Sequence, residues 1–289
     1  MGLSLLLNPP CLLGESPLWN PLDNSIYFID IKKPAINRFC IDSGAFQSFI
    51  TPSEIGCIVL KEDGDLLAAM QDGLAYVSLD SQNYTFFASI DNDQPNNRPN
   101  DGKCDEYGRL WIASMDNNEV SPSGKLWKIS SSTPEIMDKN FVIGNGIDWS
   151  PDSKKMYFTD SISRTIFVYD FNLVDGTIAN KKVFVQVSDS DGFPDGLTVD
   201  SQGFIWSAHW DGWRVTRYNP NGLVDMIIEL PIPRPTSIAF GGTDLSSLFI
   251  TSASIGLSSE EFANAPLSGG LFVYKSVISG RPSNMFSKK

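Results

Sequence analysis

Apolar and polar positions along the chain fall into a pattern that repeats six times. Each copy begins with a turn rich in Asp, Gly, Ser or Asn and runs into a short apolar strand with a large residue near its start. The copies are DNSIYFIDI (23–31), EDGDLLAAM (62–70), EYGRLWIASM (106–115), DSKKMYFTDS (152–161), SQGFIWSAHW (201–210) and DLSSLFITSA (244–253). Anchored on Tyr27, Leu67, Trp111, Tyr157, Trp206 and Phe249, they recur at intervals of 40, 44, 46, 49 and 43 residues. A second short segment follows each copy (AINRFCI, GLAYVSL, GKLWKI, RTIFVYD, WRVTRYN, GGLFVYK), and its alternation predicts half-buried β-structure. No 3.6-residue apolar period lasts beyond a turn or two, so long helices are not expected.

A unit of this length built from several strands is the signature of a propeller blade. Six copies occupy nearly the whole chain. The predicted fold is all-β, a six-bladed β-propeller, with residues 1–289 as a single domain. A β-sandwich with coincidental spacing is the alternative, and the GH…WD signature of WD40 repeats is absent. The first strand, LSLLLN, is expected to complete the last blade and seal the ring's open edge.

Composition narrows the function. The formal charge of −12, with 22 Lys and Arg that never form a dense run, argues against nucleic acid or an anionic membrane as partner. Cys11, Cys40, Cys57 and Cys104 show no CxxC spacing, and a core of this size needs no disulfides, so free thiols are expected. The start, MGLSLLLNPPCLLGES, lacks a basic region, and Pro9-Pro10 interrupts its apolar run. A cytoplasmic protein, monomeric or weakly self-associating, is expected. The single histidine, His209, excludes three-histidine zinc sites and HExxH proteases, and no G-x-S-x-G accompanies it.

In a propeller the innermost strand of each blade lines the channel, and the loops entering it meet at one mouth. Counting back 11 or 12 residues from each anchor reaches Glu15, Gly56, Asn100, Asn145, Asp195 and Ser237. Four of these carry oxygen donors in matching surroundings: Gly14-Glu15-Ser-Pro, Pro99-Asn100-Asp-Gly, Gly144-Asn145-Gly and Pro194-Asp195-Gly. Asn, Asp and Gly populate turns for conformational reasons alone, but turn preference does not explain a register shared by four blades. Two carboxylates and two amides facing inward are costly without a counter-charge. A divalent cation resolves this, and all-oxygen ligation points to calcium, magnesium or manganese, with zinc also able to take carboxylates.

These segments resemble the SMP-30/gluconolactonase/regucalcin family of six-bladed propellers. The matching motifs are LGESPLW (13–19), RPNDGKCDEYGRLWIASM (98–115), GNGIDWSPD (144–152), YFTDS (157–161), FPDGLTVDSQGFIW (193–206) and SIAFGG (237–242). The resemblance implies that Glu15, Asn145 and Asp195 bind the metal. It also implies that Arg98 and Asn100 hold substrate hydroxyls, with Asn100 close to the metal, and that the activity is hydrolysis of sugar lactones to aldonic acids. Animal members carry a substrate-contacting Glu where a gap-free count lands on Asn118, with Glu119 beside it, so both are candidate substrate contacts.

The expected mechanism has the metal polarise the lactone carbonyl, Asp195 activate water, Glu15 serve only as ligand and Arg98 orient ring hydroxyls. The alternatives are a promiscuous esterase or phosphotriesterase, and a calcium-binding propeller without turnover. Asp101 and Asp148 are expected to support the ligands. Asp30, Asp160 and His209 are expected at the channel ends of inner strands. Trp111, Trp206 and Tyr157 are expected to pack between blades, and residues 117–124 to form a lid.

Overall fold

The computed structural model describes residues 2–8 and 11–287; Pro9 and Pro10, which the sequence reading takes to end the first apolar run, lie outside them. Strand β1 (Gly2–Leu7) precedes the first blade, formed by β2 (Gly14–Asn20), β3 (Ser25–Asp30), β4 (Ala35–Cys40) and β5 (Phe46–Ile50). Blade two is β6 (Ile55–Leu60), β7 (Leu66–Met70), β8 (Gly73–Ser78) and β9 (Asn83–Ala88). Blade three is β10 (Asn97–Cys104), β11 (Leu110–Asp116), β12 (Gly124–Ile129) and β13 (Glu135–Phe141). Blade four is β14 (Gly144–Trp149), β15 (Lys155–Asp160), β16 (Thr165–Asn172) and β17 (Thr177–Gln186). Blade five is β18 (Phe193–Val199), β19 (Ile205–Trp210), β20 (Arg214–Tyr218) and β21 (Val224–Glu229).

Blade six comprises β22 (Pro235–Gly241), β23 (Ser247–Ser252) and β24 (Leu271–Lys275), and its fourth strand is β1, antiparallel to β24 from Gly2↔Lys275 to Leu7↔Leu271. The expected closure of the ring by the N-terminal strand is what the structure has. The first strands of neighbouring blades meet all the way round, β2 to β6, β10, β14, β18, β22 and back to β2. This is a six-bladed β-propeller.

The repeated apolar segments are the second strands. Blades stack face to face, so both sides of such a strand are covered; β3, β7, β11 and β23 are buried at every position. That is why they read as near-continuous apolar runs rather than alternating ones. The outermost strands, such as β5 and β21, are largely exposed. The Asp-turn-Trp spacing has a specific cause. Asp105 accepts the indole N–H of Trp111 at 2.9 Å and the N–H groups of Tyr107 and Arg109, so one carboxylate ties turn to strand. Asp200 does the same for Trp206 at 2.9 Å and for Gln202 and Phe204. Trp111 packs against Trp149 and Phe171, and Tyr157 against Phe184, filling the space between strands and blades as expected.

His209, Asp30 and Asp160 correct the sequence reading, because they belong to second strands and not to the channel-lining ones. The second strand is the most apolar of the blade and was therefore the easier one to see. His209 is fully buried; its Nδ1 donates to the Asp191 carbonyl at 2.8 Å and its Nε2 accepts from the Tyr218 hydroxyl at 3.3 Å. The Asp30 carboxylate caps a loop, accepting from the backbone of Leu12, Leu13, Lys32 and Lys33, and Asp160 accepts from Ile143 N.

All six channel strands carry a bulge at the same place: Glu15/Leu18, Ile55/Cys57, Pro99/Gly102, Asn145/Ile147, Pro194/Leu197 and Pro235/Ile238. A bulge re-aims the side chains it holds. Neighbouring inner strands touch there. Ile58 N donates to Ser16 Oγ at 3.0 Å, Asn100 Nδ2 to Gly144 O at 2.9 Å and Thr236 Oγ1 to Gly14 O at 2.5 Å. A Cβ on Gly146 would lie 2.5 Å from Leu197 N and 2.8 Å from Asp195 O, so only glycine lets blades four and five close.

The other end of the channel is covered by the C-terminal segment. Arg281 Nη2 reaches Asp148 at 2.9 Å and the Trp149 carbonyl at 2.6 Å, Asn284 Nδ2 donates to Cys104 O, and Phe286 packs against Phe87. Asp148 therefore does not support a ligand. It lines this lower end, taking Lys103 Nζ at 2.9 Å and Thr198 Oγ1 at 3.0 Å as well. Burial pushes its carboxyl up, but Lys103 and Arg281 outweigh that and hold it below the usual range. All four cysteines are unpaired. Among the described residues no helix is long and apolar enough to cross a membrane.

Two outcomes follow from this packing. Burial lowers the His209 pKa from 6.5 to about 4, so between these values the unfolded chain binds the extra proton. The buried neutral ring stabilises the fold above pH 6.5 and loses that contribution as pH falls to 4, roughly 3 kcal/mol in all. Comparing chemical denaturation of wild type and His209→Gln across that interval should show a flatter acid limb in the variant; parallel curves would contradict it. Gly146→Ala should cost about 1–3 kcal/mol by overpacking, read as a lower Tm, and an unchanged Tm would mean the two strands can separate freely.

Candidate active site

The bulges place the candidate residues at one mouth. A cavity of about 450 Å³ opens where the inner strands begin, and Glu15, Arg98, Asn100, Glu119, Asn145 and Asp195 all line it. Glu15 stands at the β2 bulge, followed by Ser16 in the left-handed region at φ 49°, a conformation that non-glycine residues adopt at a cost. Ser16 N donates to Glu15 Oε2 at 3.3 Å. Asn145 gives its Nδ2 to Ser161 Oγ at 3.1 Å, which leaves Oδ1 as the free end of the amide. Asp195 Oδ1 is buried and has no hydrogen-bond partner.

The electrostatics follow from burial. Glu15 and Asp195 are 8% and 5% exposed, and burial is the main force pushing both carboxyls well above their ordinary range. Neighbouring acids add to it: Asp195 and Asp101 act on Glu15, and Asp101 acts on Asp195. Asp101 is itself pushed up to about 6 by burial and receives the Gly102 N–H at 2.8 Å. Arg98 only partly offsets these charges.

Two carboxylates and a free amide oxygen, one carboxylate oxygen being buried without a partner, fit a hard divalent cation. Among the described residues no three His, Cys, Asp or Glu side chains converge, so an ion here would depend on Asn145 to extend the pair of acids.

Arg98 is buried against this acidic floor, its Nη1 donating to Asn100 Oδ1 at 2.8 Å and to Pro99 O at 3.1 Å, while its Nε lacks a partner. Both ends of the Asn100 amide are thus engaged, one with Arg98 and one with blade four. The 117–124 loop is folded over Asp116, whose carboxylate accepts from the backbone of Asn118, Val120 and Ser121. This turn brings Glu119, at φ 60°, to the rim of the cavity; Asn118 and Glu119 are both exposed, and only Glu119 of the two lines the cavity.

Lys32, Trp210 and Arg234 also line the cavity and were not anticipated. Lys32 pairs with Glu54 at 2.8 Å, and no repeat signal marks it. Arg234 did carry a signal. Arg234-Pro235 opens β22 as Arg98-Pro99 opens β10, with Pro235 opposite Ser252 and Pro99 opposite Ser114 in the same bulge register.

Residues 13–254 match the family described as the SMP-30/Gluconolactonase/LRE-like region. The chain is 33% identical to regucalcin of Gallus gallus over 268 residues, covering 90% of this chain and 89% of that one. It is 31% identical to 6-deoxy-6-sulfogluconolactonase of Pseudomonas putida, covering 99% and 98%. Its fold is shared with the crystal structure of a calcium-binding regucalcin from Agrobacterium tumefaciens at a TM-score of 0.95 and 27% identity, covering 98% and 96%. Sequence and structure agree over nearly the full length, and the chain belongs to the SMP-30/gluconolactonase/LRE-like family.

Proposed function

We propose that this protein hydrolyses sugar lactones, such as glucono-, xylono- or arabinolactone, to aldonic acids with the help of one divalent cation. The observation that carries this reading is the buried Glu15–Asp195 pair, with an unpartnered Asp195 oxygen, in the same cavity as an arginine and Glu119. Relatives named for lactone hydrolysis and for calcium binding support it. Glu15, Asn145 and Asp195 would hold the ion, for which calcium, magnesium, manganese and zinc are the candidates. When bound, the cation supplies Lewis-acid polarisation of the ester carbonyl and balances developing negative charge.

The protein's own groups do the rest. Asp195 takes the proton from water as its oxygen adds to the carbonyl carbon. The ring C–O bond then breaks, the proton passes to the departing alkoxide, and the open-chain hydroxy acid is released. Arg98, steadied by Asn100, donates to ring hydroxyls, and Glu119 accepts from one on the same wall. Fixing the ring between them holds the carbonyl over the acidic floor. A protein that only stored calcium would have no use for Arg98 and Glu119 beside the ion, which favours turnover over the storage reading.

A pH-drop assay on the three lactones, with an aryl ester as comparison, tests this. Chelation should abolish turnover and lower Tm, and calcium, manganese or zinc should restore both; turnover that survives complete metal removal would refute the proposal. Asp195→Asn, with ion binding checked by calorimetry, should lose about 10²–10⁴-fold in kcat. Full activity in that variant would assign the base elsewhere.

A further inference from the structure

We infer that Arg234 is a second substrate clamp, placed opposite Arg98, that binds the hydroxylated exocyclic arm of the lactone and so sets which lactones are preferred. The inference rests on the hydrolase reading above and adds the residue that selects among its substrates. Arg98 and Arg234 are equivalent positions of the repeat, each followed by Pro at the start of a bulged channel strand. They belong to blades three and six, which in a six-membered ring face each other across the axis. Both line the same cavity.

Arg234 is held in a prepared pose. Its Nε pairs with Asp211 Oδ1 at 2.6 Å, its Nη1 donates to the Ile255 carbonyl, and its guanidinium lies 4.8 Å from the centre of the Trp210 ring. A side chain on Gly256 would meet Nη1 at 3.0 Å, so the neighbouring loop leaves room for this arginine. The turn that presents Trp210 and Asp211 is strained: Asp211 and Trp213 lie at φ 57° and 59°, the second an unusual place for a large aromatic. Backbone strain of this kind gathers at ligand clamps.

The two arginines differ in ways that divide their tasks. Arg98 is buried beside the acids and reaches the ring near the scissile ester. Arg234 is only half-buried, nearer solvent, and suits the arm that trails from the ring. Asp211 already balances its charge, which favours neutral hydroxyls over an anionic substituent. Its remaining N–H groups would be satisfied by hydroxyl oxygens, and Trp210 supplies an apolar wall beside them.

The test compares wild type, Arg234→Lys and Arg234→Met on gluconolactone, on δ-valerolactone, which carries no hydroxyls, and on 6-phosphogluconolactone. Arg234→Met should lose about 10–100-fold in kcat/KM on gluconolactone, chiefly through KM, as expected for one charged hydrogen-bonding group, and at most about threefold on valerolactone. Arg234→Lys should recover part of the loss. Equal losses on both lactones would show a merely structural role, and no loss on gluconolactone would show no contact; either overturns the clamp. A wild-type preference for the phosphorylated lactone above tenfold, lost in Arg234→Met, would overturn the assignment to neutral hydroxyls. A wild type that opens none of the lactones would refute the hydrolase reading itself, a result distinguishable from failure of the clamp alone.

Discussion

Six strands standing shoulder to shoulder around an axis are the constraint from which the rest of this structure follows. Space near the axis is so short that the strands bulge, and Gly146 meets the backbone of the next blade at less than van der Waals distance for any side chain. The same crowding turns Glu15, Asn145 and Asp195 toward a common cavity. A site with buried acids is costly, and it persists because the inner ring is held from outside. Second strands buried on both faces, and carboxylates that pin Trp111 and Trp206, make the wall behind each inner strand rigid. The chemistry thus depends on residues that never touch the cavity.

The two ends of the channel show how one scaffold treats the same kind of charge in opposite ways. At the lower end Asp148 is surrounded by Lys103, Arg281 and three further donors, Thr198 Oγ1 and the backbone N–H groups of Trp149 and Val199, and its carboxyl is held low. Three residues earlier on the same strand, Asn145 faces an end where Glu15 and Asp195 lack such compensation and are pushed up. The closed end is a fastening; the open end keeps its acids only partly balanced by Arg98. Asp101, on the neighbouring inner strand, lines the lower cavity yet adds its charge to both upper acids.

Much of the architecture was legible because it rests on local chemistry repeated six times. Turn residues, a buried aromatic anchor and an interval of 40 to 49 residues identify a blade without any knowledge of contacts. The register of Glu15, Asn100, Asn145 and Asp195 was legible for the same reason. What escaped depended on three dimensions. That Glu119 lines the cavity and Asn118 does not follows from a turn held by three backbone bonds to Asp116. His209 looked available because its strand was mistaken for the channel strand, which is less conspicuous for being polar and glycine-containing. Arg234 was readable in principle, since Arg-Pro recurs, but its place opposite Arg98 appears only when blades three and six are seen to oppose one another.

The fastening of blade six by β1 couples two segments far apart in the chain in time as well as in space. Gly2 and Lys275 are partners, so β1 must wait for β24, which is synthesised on the order of tens of seconds later at ordinary elongation rates. Until then an apolar strand and an unpaired edge stay available to other chains, and non-local closure of this kind is intrinsically slow. Productive maturation should therefore be most sensitive to crowding and temperature during synthesis, and an extension fused ahead of Gly2 would act on the ring's clasp before it acts on the mouth.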